Sequence, residues 1–433
     1  MGESSPLSLA KKSISWYGFS ISVCELAESP RSPSPSLNEM DTIRESRPFG
    51  AFRKDIPSYF IVGELLNSGG LKQALNTTTE ITNKKALLTG FISNFEIVKL
   101  TKRLETFKSF ISKIYNVNED TFPEIALEVF RYQASFNPIY KAFIENLGLS
   151  IQGVNSVNEI PFLPISFFRS HLIKTGEWVA ETAFVSSSTT GSTPGRHLVA
   201  NLEFYENHAQ RCFEHFFGPV ECYHFFALLP SYLERKDSSL VAMMDFFIRK
   251  SKSPDSAFYL YDYQVLSDKL QAVKNDNRKC ILWGVSFALL DLAEQFPQDL
   301  SHCLVFDTGG MKGRRKEITR NEMHDRLKAG INVKKLFSEY GMTELFSQAY
   351  STNGNDRFVC PPWIRVIGRD ITDPFRKGLL SESVGINVVD LANWHTISFI
   401  ETEDLGKVHG DGSFEVLGRL DNADLRGCNL MIQ

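Results

Sequence analysis

The stretch Ser186-Ser187-Ser188-Thr189-Thr190-Gly191-Ser192-Thr193-Pro194-Gly195-Arg196 is a run of hydroxyls and glycines behind the strand-like Thr182-Ala183-Phe184-Val185. Small side chains let the backbone close in on an anion, so the N–H groups and hydroxyls of such a loop can wrap phosphates. A plain surface loop of Ser, Thr and Gly has the same composition, and these residues alone leave both readings open.

Four further stretches carry possible chemistry. Phe306-Asp307-Thr308-Gly309-Gly310 ends an apolar strand in a glycine pair, the kind of carboxyl-end turn where ligands sit in an open parallel sheet. Ser338-Glu339-Tyr340-Gly341-Met342-Thr343-Glu344 joins an aromatic platform, a permissive glycine, a hydroxyl and a carboxylate. There Tyr340 could stack on a base, Thr343 could bond a phosphate, and Glu344 could hold Mg²⁺, a hard cation that prefers oxygen. Glu401-Thr402-Glu403-Asp404-Leu405-Gly406 is expected to follow a strand and end in a turn, where a carboxylate can accept bonds from two ribose hydroxyls. Gly418-Arg419-Leu420-Asp421, almost at the C-terminus, reads by itself as a surface turn with a weak Arg–Asp pair. The sequence has no Walker loop, no GxGxxG and no GxSxG elbow, so a phosphate loop here belongs to another class.

The elements that must position these residues follow from hydrophobic period. Leu104, Phe107, Phe110, Ile111 and Ile114 recur at helical spacing, as do Ile125, Val129, Tyr132 and Phe136. Pro161-Phe162-Leu163-Pro164 predicts a pinned, extended segment. After the Ser186–Arg196 loop a helical pattern resumes near Glu203, with Tyr205, Ala209, Cys212, Phe213 and Phe216 on one face and His208 on or near its flank as a surface or packing residue. Strands at 223–229, 257–261, 279–283 and 303–307 then alternate with helices at 238–251, 263–274 and 285–296, which predicts crossover units and a largely parallel sheet. Beyond about residue 333 the pattern turns strand-rich, with candidates at 364–368, 386–390, 396–400 and 413–417. The expected organisation is a disordered or spurious extension over 1–50, an unassigned 51–104, an α/β core over 105–333 and a β-rich subdomain over 334–433. Ser and Pro alternate from Ser29 to Ser36, which favours a linker there, and translation starting at Met40 or later is one reading.

Bulk properties narrow the class. At 433 residues the chain has room for two or three domains, and a net charge of −4 leaves no basic excess to argue for nucleic acid. The longest apolar runs, Cys222 to Pro230 and Cys280 to Ala293, are too short for a transmembrane segment. Cysteines 24, 212, 222, 280, 303, 360 and 428 form no CxxC pair and no zinc-type spacing, and their odd number without a secretory signal points to reduced thiols and a cytoplasmic protein. Most sit in apolar segments as core filler.

In order, Ser187 to Pro194, Tyr340 to Glu344, Thr402 to Gly406 and Gly418 to Asp421 resemble the serial motifs of AMP-forming adenylating enzymes, the superfamily of acyl-CoA ligases and firefly luciferase. Leu229-Pro230-Ser231-Tyr232, Leu282 to Phe287, Pro361-Pro362-Trp363 and Gly418 to Leu430 are closer to the acyl-protein synthetase (long-chain-fatty-acid–luciferin-component ligase) family of bacterial luminescence. The resemblance spans about 105 to 433. It implies an α/β fold like the N-terminal domain of adenylate-forming enzymes, with mixed sheets covered by helices, a smaller β-rich subdomain and no C-terminal lid domain. It implies that Ser187, Ser188, Thr189, Thr190 and Gly191 hold the β- and γ-phosphates of ATP. Thr308, Gly309, Gly310 and Tyr340 would line the adenine pocket, Gly341 would be a further nucleotide-binding residue, and Thr343 would contact the α-phosphate, Glu344 the Mg²⁺, and Asp404 and Arg419 the ribose.

The same resemblance gives Cys428, in Leu425-Arg426-Gly427-Cys428-Asn429, the role of acyl-accepting nucleophile. A thiolate suits attack on an acyl adenylate, and Arg426 would favour it. The resemblance implies a carboxylic acid as substrate, a fatty acid by family, and an acyl-acceptor protein such as a reductase or carrier as partner. Two departures stand out: Ser188 replaces a usual glycine, a strained choice if φ is positive there, and Arg196 replaces a usual lysine. An acyl- or aryl-CoA ligase, or a non-catalytic protein that binds nucleotide or acyl groups, are the alternatives.

Overall fold

The computed structural model describes residues 12–16, 19–23, 109–186, 193–230, 237–309, 315, 318–380 and 383–420. Ser187, Ser188, Thr189, Thr190, Gly191, Gly310 and Cys428 lie outside them. The chain clusters into two compact units, Met1–Phe91 and Ile92–Gln433. In the first, β1 (Lys12–Trp16) and β2 (Phe19–Val23) form an antiparallel pair with Ile14 opposite Ile21. These strands stand within the stretch expected to lack elements, and the alternation Ser13-Ile14-Ser15-Trp16 is the strand period. The Ser-Pro tract lies outside the described residues.

In the second unit a helix over 109–115 precedes α1 (Phe122–Phe136) and α2 (Pro138–Asn146). Asn137 makes the break between them: Pro138 has no N–H to continue the ladder, and the Asn137 side chain accepts from the N–H groups of Ile139 and Tyr140, both at 3.1 Å. β3 (Leu163–Pro164) and the one-turn α3 (Phe167–Ser170) lead to the hairpin β4 (Thr182–Val185) and β5 (Arg196–Val199). The loop of hydroxyls thus returns into a strand before α4 (Leu202–Phe217) begins. His197-Leu198-Val199 is too short for a period to show. Asn201 caps α4 through the Phe204 N–H, and Gly218 ends it at φ 84°.

The crossover run follows: β6 (Tyr223–Leu228), α5 (Ser239–Ser251), β7 (Ala257–Tyr259), α6 (Tyr263–Ala272), β8 (Lys279–Gly284), α7 (Ser286–Gln295), β9 (Cys303–Asp307), α8 (Arg320–Ile331) and β10 (Leu336–Tyr340). With β11 (Ala349–Ser351) they make a six-stranded sheet ordered β11-β10-β9-β8-β6-β7, in which only β10 and β11 are antiparallel. Every residue of β6 is buried, as a parallel strand covered on both faces requires. β10 and β11 belong to this sheet although they lie past residue 333.

The second sheet is the antiparallel run β12 (Ile364–Arg369), β13 (Val384–Asp390), β14 (Phe399–Val408) and β15 (Phe414–Arg419). β3 lies parallel to β14 at Ile400 and Glu401, while β15 pairs from Asp404 onward, so the two share one edge. This corrects the expected strand at 396–400 and the turn after it. Residues 401–406 are strand interior, with a register shift between Leu405 and Gly406. A Cβ on Gly406 would run into the Glu415 carbonyl and Ile386, so this glycine serves close packing at a bulge. Among the described residues no helix is long and apolar enough to cross a membrane.

One buried carboxylate ties the sheets together. Asp390, at the end of β13, accepts from the N–H groups of Phe346 and Ser347 at 2.9 Å each, from the Ser347 hydroxyl at 2.6 Å and from Ala392 N–H at 3.0 Å. Asn393 adds a second acceptor for Phe346 N–H at 3.1 Å and donates to the Glu344 carbonyl at 2.7 Å. Asp390→Ala leaves the Ser347 N–H and hydroxyl and the Ala392 N–H buried without an acceptor and should cost on the order of 3 kcal/mol, measured as a lower urea midpoint at unchanged slope.

Candidate active site

β4 and β5 pair from Thr182–Val199 to Val185–Arg196 and close the foot of the hydroxyl-rich loop. Beyond the last pair, Ser186 N–H donates to the Gly195 carbonyl at 2.9 Å and Gly195 N–H donates to Ser186 Oγ at 2.8 Å. A Cβ built on Gly195 would lie 2.6 Å from Glu344 Oε1 and 3.2 Å from Ser186 Oγ. Gly195 is what lets the Glu344 carboxylate reach the foot of the loop.

Glu344 is held there from behind. His197, on β5, shares a hydrogen bond of 2.8 Å between Nδ1 and the Thr343 carbonyl, which can only accept, so Nδ1 carries the proton. Nε2 then accepts from the Thr396 hydroxyl at 2.8 Å. Burial lowers the His197 pKa to about 4, which keeps the ring neutral and this tautomer in place. Asn393 fixes the next carbonyl, that of Glu344. The Glu344 carboxyl is pushed up to about 7 by burial, against the opposing pull of its own backbone N–H and of Arg169 and Arg419. A desolvated oxygen donor facing the space that a Cβ would fill suits a hard divalent cation such as Mg²⁺, whose charge would favour the ionised form.

Tyr340 closes β10, and its hydroxyl donates to Asp404 Oδ2 at 2.8 Å. Asp404 and Arg419 are directly opposed on β14 and β15, with Arg419 Nε 3.5 Å from Asp404 Oδ1. The Arg419 side chain is 76% exposed, so that pair contributes little to stability by itself. Burial raises the pKa of Asp404, and burial followed by the Asp404 charge raises that of Tyr340. The Tyr340 ring packs edge-on against Phe414 at 5.0 Å and lies 5.8 Å from Phe358. The aromatic platform is therefore braced by two further rings and tethered through its hydroxyl.

Thr308 follows the end of β9 beside β10, and Gly309 takes φ 71°. The Thr308 hydroxyl donates to Glu339 Oε2 at 2.6 Å, and a Cβ on Gly341 would collide with the other Glu339 oxygen. Glu339 had no expected role. Its only sequence signal is a lone carboxylate inside the apolar Leu336-Phe337-Ser338-Glu339-Tyr340. His197 and Arg169, which approaches Glu403 at 3.1 Å, are likewise site neighbours that local sequence does not announce. The structure thus groups Gly195, Thr343 and Glu344, joins Tyr340, Asp404 and Arg419, and bonds Thr308 to Glu339, the residue before Tyr340 on β10. Arg196 is exposed on β5.

No protein-family model matches the chain, and no curated protein matches it by sequence. Among solved structures it is similar to a 2-hydroxyisobutyryl-CoA ligase in the postadenylation state in complex with R3-HIB-AMP, at TM-score 0.52 and 14% identity over 69% of this chain and 67% of that one. Weaker likenesses are ATP-bound MatB from Rhodopseudomonas palustris (TM-score 0.43, 14% identity, 55% of this chain and 48% of that one) and a long-chain-fatty-acid-CoA ligase from Archaeoglobus fulgidus (TM-score 0.39, 15% identity, 56% and 52%). The chain spans about half the length of these last two. At such identity the likeness is one of fold: the α/β architecture is that of an adenylate-forming enzyme, mixed sheets covered by helices with a β-rich part.

Burial raises the Glu339 pKa to about 7, with the Thr308 bond opposing it. The folded protein therefore keeps this proton where the unfolded chain, near 4.5, releases it. Stability falls as pH rises through that window and levels off above about 7. Glu339→Gln keeps a partner for Thr308 and has no charge to bury. Its melting temperature should match wild type at the acid end and exceed it increasingly toward pH 7, by at most about 3 kcal/mol in equivalent stability.

Proposed function

We propose that the chain activates a carboxylic acid with ATP and passes the acyl group to a thiol. The observation that supports this most is the meeting of Gly195, at the foot of the hydroxyl-rich loop, with the buried Glu344, on a fold shared with an acid–CoA ligase. The substrate carboxylate oxygen attacks the α-phosphorus of ATP, a new P–O bond forms, and pyrophosphate leaves. In this scheme Ser187 to Gly191 hold the leaving phosphates, while Thr308 to Gly310, Tyr340 and Gly341 border the adenine and Asp404 with Arg419 hold the ribose. Thr343 meets the α-phosphate, with its carbonyl fixed by His197. Glu344 would hold Mg²⁺, which when bound neutralises charge on the phosphoryl oxygens.

In the second half, the Cys428 thiolate attacks the acyl carbon, AMP leaves, and a thioester forms for delivery to an acceptor protein. That half rests on the resemblance to acyl-protein synthetases, which also makes a fatty acid the first substrate to try. The fold shared with a CoA ligase favours CoA as a second candidate acceptor.

Carboxylate-dependent exchange of labelled pyrophosphate into ATP, surveyed across acids of different chain length, tests the first half. Exchange is expected with at least one acid and should drop on the order of 100-fold in Glu344→Gln and in Gly195→Ala. No exchange with any acid would leave a non-catalytic binding protein. With labelled acid and ATP, the full chain should retain a hydroxylamine-sensitive label that Cys428→Ser loses. Label that persists in that variant removes Cys428 from the mechanism, and a soluble labelled thioester formed on adding CoA makes CoA the acceptor.

A further inference from the structure

Cys280 and Cys303 are 23 residues apart in the chain, yet they are directly opposed on the adjacent parallel strands β8 and β9. Opposed residues on neighbouring strands project from the same face, so both thiols emerge together. Both are free thiols and buried. His302 stands immediately before β9. The donor atoms of Cys280, His302 and Cys303 all lie within 4.8 Å of one another.

The histidine is oriented for a lone pair to face this group. His302 Nε2 lies 3.0 Å from the Leu270 carbonyl of α6, which can only accept, so Nε2 carries the proton. Nδ1 is therefore the unprotonated nitrogen, and it is buried with no hydrogen-bond partner. The neighbouring thiols do not satisfy it as donors. A ring whose remote N–H is pinned by a backbone carbonyl is how metal-bound histidines are commonly oriented.

We propose that Cys280, His302 and Cys303 form a zinc site. Two thiolates and one imidazole are a soft-to-borderline set of the kind zinc takes, with Zn–S near 2.3 Å and Zn–N near 2.0–2.1 Å. A tetrahedral centre needs its donors about 3.5–3.8 Å apart, so small side-chain movements from the present spacing suffice. Two thiol protons leave to solvent as the metal binds, so binding tightens with rising pH. Water completes the fourth position. The site lies at the amino ends of β8 and β9, whereas Thr308 follows the carboxyl end of β9, roughly 17 Å along the strand. It is separate from the adenylate chemistry, and its role is to clamp the entry of two central strands to α6.

The full-length protein, purified without chelator and gel-filtered, should carry close to one zinc per chain. Replacing zinc by Co²⁺ should produce thiolate-to-cobalt charge-transfer absorption and tetrahedral d–d bands. Cys303→Ser and His302→Ala should abolish that spectrum and weaken zinc binding at least tenfold in chelator competition. Cys222→Ser, which removes an exposed thiol, should change neither. His302→Ala removes no core thiol and keeps the test informative if Cys303→Ser fails to fold. The site is refuted if no metal is retained and zinc leaves the thiol reactivity of Cys280 and Cys303 unchanged. It is refuted equally by a Cys280–Cys303 disulfide in the reduced-buffer preparation, or by a cobalt spectrum that His302→Ala leaves intact.

Discussion

The interaction on which the rest depends is the grip of Asp390 on the backbone of Phe346 and Ser347. These residues lie between β10 and β11 of the parallel sheet, whereas Asp390 belongs to the antiparallel one. A buried backbone N–H without an acceptor is costly, so the segment can settle only where Asp390 and Asn393 meet it. That docking sets the position of Glu344 two residues earlier. His197 then fixes Thr343 from the hairpin side, so the hairpin and both sheets converge on two residues.

Burial gives this region its electrostatic character. Glu339 and Glu344 are both held up to about 7 by desolvation, and Asp404 and Asp390 are raised for the same reason. Each of these carboxyls sits where water is excluded and holds its proton more firmly than a free one. The glycines at 195 and 341 belong to the same design, because each makes room for a carboxylate to approach the backbone.

Much of the architecture was legible in the chain. The strands at 223–229, 279–283 and 303–307 are apolar runs of strand length between amphipathic helices, and the structure buries them in the parallel sheet. Tyr340 to Glu344, Thr308 and Asp404 could be singled out as candidates by residue type. What misled was local: Asp404-Leu405-Gly406 has the composition of a turn, but its glycine serves a packed bulge inside a ten-residue strand. The hairpin return at β5 was hidden because four residues are too few to show a period.

The sequence by itself determined the alternation of elements, the apolar strands and the chemical types available to the site, since these depend on short-range period and side-chain chemistry. Only the tertiary structure decided which of those groups meet. His197 reaches Thr343 across 146 positions and Tyr340 reaches Asp404 across 64, separations at which no local pattern carries information. The same holds for Cys280, His302 and Cys303, whose spacing matches no metal motif until parallel pairing sets two strands side by side.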